Sequence, residues 1–274
     1  MIDGIPVTDD HIHLDPVNGR GIEAAKDFRR AGGTHLFLVT KPSWSSGITP
    51  VTGGEYREVY ARTLAIAEEV RAVDLSVYVI MGVHPAEITR LAGRMSLAEA
   101  EAVMCRGLAI AAEFVEGGDA VALKSGRPHY PVEEEVWEAS NRILAYALDL
   151  ARDAGCAIQL HAESGPCADI PDLARKAGIP LFRVVKHYAS PDTPLTPSMI
   201  ATSEAIPEMA REGRYFTMES DYMDESSRPG AVIGPKSVPR ITRKLLESGT
   251  LTAEDAERIH RTTPEKVYGV EIEV

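Results

Sequence analysis

Histidine, lysine and acidic residues recur in this chain at the ends of short apolar segments. They are His11, His13, His84, Lys124, His161, His187, Glu219 and Asp221. Imidazole and carboxylate groups are preferred ligands of zinc and other borderline transition metals, and metal clusters of this kind activate water for hydrolysis. Any one such histidine, taken alone, is more typical of a hydrogen-bonded core or loop residue. A metal site therefore requires a fold that brings these residues together.

The apolar segments alternate with longer helical patterns along all 274 residues. Strands are predicted at residues 6–13, 34–41, 75–84, 120–124, 157–161, 181–187, 199–205 and 215–221. Helices are predicted at residues 21–31, 56–73, 96–116, 133–154, 169–177, 208–212, 238–247 and 253–261. Eight alternations at this length predict one α/β domain over residues 1–274, a (β/α)8 TIM barrel. A doubly wound open sheet is the alternative, but no G-x-G-x-x-G follows the first strand.

A barrel gathers the carboxyl ends of its strands on one rim, which would bring distant residues together. His11 and His13 are two residues apart and therefore share one face of a strand. His161 and His187 are 26 residues apart, about one strand–helix repeat, which predicts neighbouring strands. Four imidazoles in this order, with Asp221 on the last strand, favour a metal site over coincidence.

The remaining histidines have other predicted roles. His84 lies at the same rim but lacks a partner two positions away, so we expect it to contact substrate rather than metal. His129, just after strand four, is predicted to contact substrate, with a plain loop residue as the alternative. His35 begins strand two at the opposite rim and is predicted to be structural, whereas His260 in the last helix is predicted to be solvated.

Composition limits the classes of function. A net charge of −12 and a pI near 5.2 argue against a broad nucleic-acid or anionic-membrane surface. The first residues have no signal-peptide pattern, and the longest apolar run, around residues 77–83, is too short to span a bilayer. Three cysteines without metal-type spacing favour reduced thiols, so we expect a cytoplasmic protein that does not bind membranes.

Six motifs carry a resemblance to a known family. They are DDHIHLD (9–15), GVHP (82–85), LHAES (160–164), VKHYAS (185–190), ESD (219–221) and TTPEKVYGV (262–270). Together they resemble the TatD-like branch of the metal-dependent amidohydrolase superfamily over nearly the whole chain. The resemblance implies a (β/α)8 barrel that holds one or two divalent metals at the strand ends and hydrolyses ester, phosphoester or amide bonds.

The resemblance also implies residue roles. It places His11 and His13 on a first metal, His161 and His187 on a second, and Asp221 beside the attacking water as catalytic base and ligand. Two divalent ions are then expected as cofactors, with zinc favoured and manganese, nickel, cobalt or magnesium as alternatives. On the same strand faces, Asp9 and Glu219 are predicted to support the ligands, since a ligating imidazole needs an acceptor for its other ring nitrogen.

Lys124 departs from the family pattern. TatD-like proteins usually carry a metal-bridging glutamate within G-E-I-G at the end of strand four, where this chain reads L-K-S-G. Other branches of the superfamily carry a lysine there, carboxylated by carbon dioxide. Burial lowers a lysine pKa and leaves the neutral amine that reacts with carbon dioxide, so we predict a bridging carbamate on Lys124. The alternative is an ammonium that fills the second metal's place or binds an anionic substrate.

The substrate is less well defined by the sequence. Arg127 follows strand four, and the loop 224–240 adds Arg228, Lys236 and Arg240; of these, Arg127 and Lys236 are the predicted contacts for an anionic group. Family members often carry a basic residue two positions after the strand-five histidine, where this chain has Glu163. That departure argues against nucleic acid or a phosphate monoester, although Glu163 is equally consistent with a solvated residue.

Three functions stay open on the sequence alone. The favoured one is hydrolysis of a small, anionic ester, phosphoester, lactone or cyclic amide. A TatD-like deoxyribonuclease is the second, and it would need a basic groove that follows the nucleic-acid backbone. A metal-binding scaffold without turnover is the third. The metal identity, the substrate and the oligomeric state, a homo-oligomer included, are also left open.

Overall fold

The computed structural model describes residues 1–2, 4–227 and 232–273. The strands are β1 (Thr8–His13), β2 (His35–Val39), β3 (Ser76–Gly82), β4 (Ala122–Gly126), β5 (Ala157–His161), β6 (Val184–Lys186), β7 (Thr196–Ile200), β8 (Thr217–Glu219) and β9 (Tyr222–Met223). The α-helices are α1 (Ile22–Ala31), α2 (Tyr56–Arg71), α3 (Glu87–Ala92), α4 (Leu97–Glu116), α5 (Glu134–Asp153), α6 (Ile170–Ala177), α7 (Ile206–Arg211), α8 (Ser237–Glu247), α9 (Ala253–Glu257) and α10 (Thr263–Tyr268).

The strands form one curled sheet in the order β8-β7-β6-β5-β4-β3-β2-β1-β9, and every pair is parallel. Helices separate most of the strands along the chain, whereas a loop without a helix joins β6 to β7. This is the arrangement of a (β/α)8 barrel, as the sequence predicts. Phe37, Val39, Ile80 and Tyr268 belong to a buried cluster within the barrel. A larger apolar cluster packs the outer faces of the strands against the helices.

The eighth strand position is divided into two short strands, and this division closes the barrel. β8 pairs with β7, whereas β9, two residues further on, pairs with β1. Between them Asp221 adopts a left-handed φ of 44°, and its N–H donates to the His11 carbonyl oxygen at 2.9 Å. Few residues other than glycine adopt this conformation without a local reason. Here it places Asp221 at the seam of the barrel, next to β1.

Glycine allows two strands to approach closely beside Lys124. Gly82 on β3 pairs with Lys124, and Gly126 on β4 pairs with His161. A Cβ atom on Gly82 would overlap the backbone of Lys124, and one on Gly126, whose φ is 152°, would overlap the His161 carbonyl group. Any larger residue at either position would therefore displace Lys124 or His161.

Several element bounds differ from the prediction. The predicted strand 181–187 begins with a 3₁₀ turn at Leu181–Arg183, and only Val184–Lys186 are strand. The predicted strand 199–205 lies at Thr196–Ile200 instead. Pro197 argues against a strand at this position in the sequence, because proline donates no hydrogen bond to a neighbouring strand. Helix α3 has only six residues and has no counterpart in the prediction.

His260 is buried, so the prediction that it is solvated is wrong. Its side chain is 0% exposed between β1 and α8. The Thr8 N–H donates to Nδ1 at 3.2 Å, and Nε2 lies 2.9 Å from the Thr242 hydroxyl. These contacts are formed by residues 252 and 18 positions away, and a single helical pattern cannot reveal them. His35 is buried at the amino end of β2.

Across the described ranges of the chain, no helix has the length and apolar character needed to cross a bilayer. The three cysteines are free thiols.

Candidate metal centre

Six of the predicted site residues meet inside the carboxyl end of the barrel. They are His11, His13, Lys124, His161, His187 and Asp221. Ligand atoms of His11, His187 and Asp221 all lie within 4.8 Å of one another. The His11 and His187 rings stack with centroids 4.0 Å apart, so the two histidine pairs are contiguous. The fold therefore joins residues from β1, β4, β5, the end of β6 and the seam after β8.

The pair on β1 presents two lone pairs to the same point. His11 Nδ1 lies 2.7 Å from Gln159 Oε1, and His13 Nδ1 lies 2.7 Å from the Val39 carbonyl oxygen. Neither oxygen can donate, so both Nδ1 atoms carry the proton. Burial lowers the pKa of both rings well below its usual range, which keeps them neutral. The two Nε2 atoms are then both acceptors, only 3.1 Å apart.

Two buried acceptors at that distance repel one another unless a cation lies between them. Zinc binds imidazole nitrogen at about 2.0–2.1 Å, and tetrahedral geometry then separates two such nitrogens by roughly 3.3 Å. The 3.1 Å between the Nε2 atoms of His11 and His13 is close to that value. The residues present on β1 therefore fit a divalent transition metal.

The second histidine pair bridges β5 and β6. His161 Nδ1 lies 2.7 Å from His187 Nε2, and His187 Nδ1 lies 3.2 Å from Glu219 Oε1. Glu219 also accepts the N–H of Tyr188 at 2.8 Å. His161 Nε2 lies 2.7 Å from Nδ1 of the exposed His129. Unlike the first pair, this one can be satisfied by a chain of ring-to-ring hydrogen bonds, so its geometry alone argues less strongly for a metal.

Asp221 faces the cluster from the barrel seam. Its carboxylate lies 3.9 Å from His11 Nε2, and its side chain is 16% exposed. Burial raises the pKa of Asp221 to about 6, against an opposing effect of the Lys124 charge. Asp9 is fully buried beneath it and accepts the backbone N–H groups of Ser220 at 2.9 Å and His11 at 3.3 Å. Asp9 therefore ties the Asp221 turn to β1, and it contacts the backbone of His11 rather than its ring.

Lys124 lies in the middle of the histidines. Its side chain is 1% exposed, and Nζ lies 3.5 Å from His11 Nε2. Burial lowers the pKa of Lys124 to about 8, although Asp221 and Glu219 oppose that effect. The neutral amine is therefore accessible near neutral pH, which is the form that carboxylation requires.

The predicted substrate contacts His84 and His129 line the outer side of the second pair. The His84 ring is 4.6 Å from that of His161, and the His129 ring is 4.7 Å from it. Trp44 packs edge to face against His84 with centroids 5.9 Å apart, and Arg90 lies over the Trp44 ring. An aromatic wall thus flanks His161 on the outer side of the site.

Arg127 is engaged within the protein. Its side chain is buried, and it donates from Nε to Glu163 at 3.1 Å and from Nη1 to Asp169 at 2.6 Å and to Asn141 at 3.2 Å. The guanidinium carbon also lies 4.7 Å from the centre of the Trp137 ring. These partners occupy the donors that an anionic substrate would need, so the anion contact predicted for Arg127 has no free donors in this arrangement. Arg127 instead stabilises the loop after β5, which contains Glu163 and Asp169.

Lys236 pairs with a carboxylate on the outer helix layer. Its Nζ is 3.4 Å from Asp27 on α1, where Arg20 and Arg30 also pair with that carboxylate. Lys236 is therefore engaged by α1 in this structure, and its predicted contact with an anionic substrate stays a prediction. Arg228 lies outside the described residues.

Replacement of Arg127 by methionine is expected to destabilise the fold by about 2 kcal/mol, because two carboxylates lose their buried partner. Urea unfolding measures the change. Arg142→Met is the matched control, since Arg142 pairs with Glu101 at the surface with 56% of its side chain exposed, and it should cost less than about 1 kcal/mol. Equal losses for both variants would contradict the structural role of Arg127.

Sequence reasoning missed the polar residues beneath the histidines. Gln159, Asp10 and Tyr268 are buried in the barrel and bonded to one another below His11. One signal was present, since Gln159 interrupts the apolar strand AIQLH two residues before His161 and must share its face. Its partners lie 149 and 109 residues away, and only the fold reveals them.

Parallel strands closed around a buried cluster of histidines and carboxylates define the class of metal-dependent hydrolases built on a (β/α)8 barrel. Sequence comparison specifies the family. The model of the family described as "TatD related DNase" matches residues 8–269. The chain therefore belongs to this family of metal-dependent hydrolases. It is also 37% identical to the Uncharacterized protein MJ1127 of Methanocaldococcus jannaschii, over 100% of this chain and 99% of that protein.

Solved structures show the same fold at low sequence identity. The TatD homologue YJJV of Escherichia coli K12 has a TM-score of 0.64 and 18% identity, and covers 96% of this chain and 98% of its own. The phosphotriesterase homology protein of Escherichia coli, complexed with phosphate, has a TM-score of 0.63 and 12% identity, and covers 98% of this chain and 99% of its own. A mutant PTE-like lactonase of Deinococcus radiodurans has a TM-score of 0.62 and 14% identity, and covers 97% of this chain and 96% of its own.

Proposed function

We propose that this protein hydrolyses a small ester, phosphoester, lactone or cyclic amide with the help of two divalent metal ions. The observation that carries the proposal is the pair of unprotonated Nε2 atoms of His11 and His13, buried and 3.1 Å apart. Such a pair is costly without a cation, and family membership supports the same chemistry.

The donor set suits two ions. His11 and His13 would hold the first, and His161 and His187 the second, with Asp221 near His11 of one pair and His187 of the other. Imidazole-rich sites with a carboxylate favour zinc, with manganese, nickel, cobalt and magnesium as alternatives. Bound ions of this kind polarise the scissile bond and lower the pKa of water, which supplies a nucleophile at neutral pH.

Lys124 completes the proposed site as a carbamate. Its amine lies beside His11 and is buried among neutral rings, where an ammonium would be poorly solvated. A carbamate is anionic and offers two oxygens, and it would supply the negative charge that the glutamate of related proteins provides. The ammonium form is the alternative.

The chain's own residues supply the remaining steps. Asp221, aimed at the cluster and partly exposed, accepts a proton from water and returns it to the leaving group. Glu219 holds His187 through Nδ1, and Asp9 holds the turn that carries Asp221. His84 and His129, together with Trp44, are the proposed substrate contacts on the outer side of the site.

A deoxyribonuclease is the second candidate, because the family description that matches the chain is that of a DNase. The net charge of −12 and the internal pairing of Arg127 and Lys236 favour a small substrate over a polynucleotide. The oligomeric state and a cytoplasmic location remain predictions from the sequence.

A turnover screen tests the proposal. The zinc- or manganese-loaded protein is assayed on lactones, phosphodiesters and single-stranded DNA, with and without a chelator. We expect turnover of a small substrate that the chelator abolishes and added metal restores. Preferential cleavage of DNA, falling steeply with salt, would favour the nuclease. No turnover by the fully loaded protein would favour a metal-binding scaffold.

A further inference from the structure

We propose that Gln159 is a positioning residue that fixes the tautomer of His11 and so makes Nε2 the nitrogen available to a metal ion. Gln159 is 0% exposed on β5 and lies opposite Lys124 in the strand register. The proposal rests on the metal site inferred above, but it concerns a residue that neither the family motifs nor the ligand set includes.

The orientation of the Gln159 amide follows from its partners. The Nε2 atom lies 2.7 Å from the Asp10 carbonyl oxygen and 2.7 Å from the Tyr268 hydroxyl oxygen. A backbone carbonyl can only accept, so the NH₂ end of the amide must face Asp10. The Oε1 end then faces His11 Nδ1 at 2.7 Å. Since an amide oxygen cannot donate, the His11 proton must be on Nδ1.

Tyr268 reinforces the orientation that the Asp10 carbonyl group imposes on the amide. Its hydroxyl accepts from Gln159 Nε2 and donates to Asp10 Oδ2 at 3.1 Å. A reversed amide would place its oxygen against the Asp10 carbonyl oxygen and lose the hydrogen bond that the NH₂ group donates to it. The tautomer of His11 is therefore set by Gln159, whose amide is held by the Asp10 carbonyl group and by Tyr268 on α10.

The two histidines on β1 differ in this respect. His13 donates to the backbone carbonyl of Val39, which no substitution removes. For His11 Nδ1, by contrast, the acceptor is the Gln159 side chain, which a substitution can remove. Loss of Gln159 would let the proton move to Nε2, the nitrogen that faces His13, Lys124 and Asp221. Partners of this kind usually change metal affinity by about 10–100-fold.

The test compares Gln159→Met with Thr242→Val. Methionine keeps the length of the side chain and removes its hydrogen bonds. Thr242 is also fully buried and contacts a buried histidine, His260, at 2.9 Å, but that histidine is outside the metal cluster. Zinc affinity is measured by competition with a chromophoric chelator, the His11 tautomer by ¹⁵N NMR of the metal-free protein, and stability by urea unfolding.

We expect Gln159→Met to weaken zinc binding by about 10–100-fold and to shift His11 from the Nδ1–H form towards the Nε2–H form. Thr242→Val should lose stability with unchanged zinc affinity and an unchanged His11 signal. If Gln159→Met keeps the affinity and the tautomer of the wild type, Gln159 is only a structural residue and the proposal fails.

A replacement variant and the behaviour of the wild type also test the proposal. If Gln159→Met does not fold, Gln159→Glu replaces it. Its carboxyl group keeps an acceptor for the His11 Nδ1–H, so this variant should retain the Nδ1–H form, and a shift to the Nε2–H form would overturn the proposal. If the wild type binds no zinc, the proposed function fails, but an Nδ1–H signal for His11 that is lost in the variant still supports the positioning role. An Nε2–H form of His11 in the wild type would overturn it.

Discussion

Asp221→Asn is expected to lower kcat by about 10²–10⁴-fold, which is the usual loss when a general base is removed. The amide keeps the size of the side chain and can still occupy the turn held by Asp9 and the His11 carbonyl group. It cannot accept a proton from water. Steady-state kinetics on the substrate found in the screen measure the effect, with metal content determined on the same sample.

Glu225→Gln is the matched control for this variant. Glu225 is a carboxylate four residues further along the same segment, and its side-chain contact is with Ser227 rather than with the histidines. We expect its kcat to stay within about twofold of the wild type. The role assigned to Asp221 is wrong if Asp221→Asn keeps comparable activity at full metal content.

The paired substitutions His11→Asn/His13→Asn and His161→Asn/His187→Asn are expected each to reduce the bound metal from two ions per chain to one. Each pair supplies two of the nitrogen ligands of one ion, and an asparagine amide is a much weaker ligand for zinc. Hydrolysis should fall by at least about 10³-fold in both variants, because the two ions act on the same substrate. Elemental analysis of protein dialysed against trace zinc measures the stoichiometry.

His35→Asn serves as the control for these variants. His35 is a buried histidine at the opposite end of the barrel, where Nδ1 lies 2.8 Å from the Thr34 hydroxyl. Its replacement should cost stability and leave the metal content unchanged. Retention of two ions by either paired variant would show that the ligands have been assigned to the wrong residues.

The residues of the cluster could be predicted because two simple periodicities locate them. A spacing of two places His11 and His13 on one face of a strand, and the repeat of strand and helix places His161 and His187 on neighbours. Strand bounds were less accurate where the local chemistry conflicts with the fold, as at Pro197 within β7. Pattern reasoning also cannot foresee that the last strand divides at Asp221.

The partners of charged residues were the least predictable feature. Arg127 looks like an anion contact in the sequence, but Glu163 and Asp169, 36 and 42 residues away, already bind it. His260 looks solvated from its position in the last predicted helix, yet Thr8 and Thr242 enclose it. Such contacts depend on how loops and helices pack around the barrel, and spacing along one element does not encode them.

The most direct test of the two-ion site is anomalous diffraction from crystals grown with zinc, recorded on both sides of the absorption edge. We expect two peaks inside the carboxyl end of the barrel, one between His11 and His13 and one between His161 and His187, with density for a carboxyl group on Lys124 Nζ. Crystals that contain zinc in the solution but show no peak among these side chains would contradict the account.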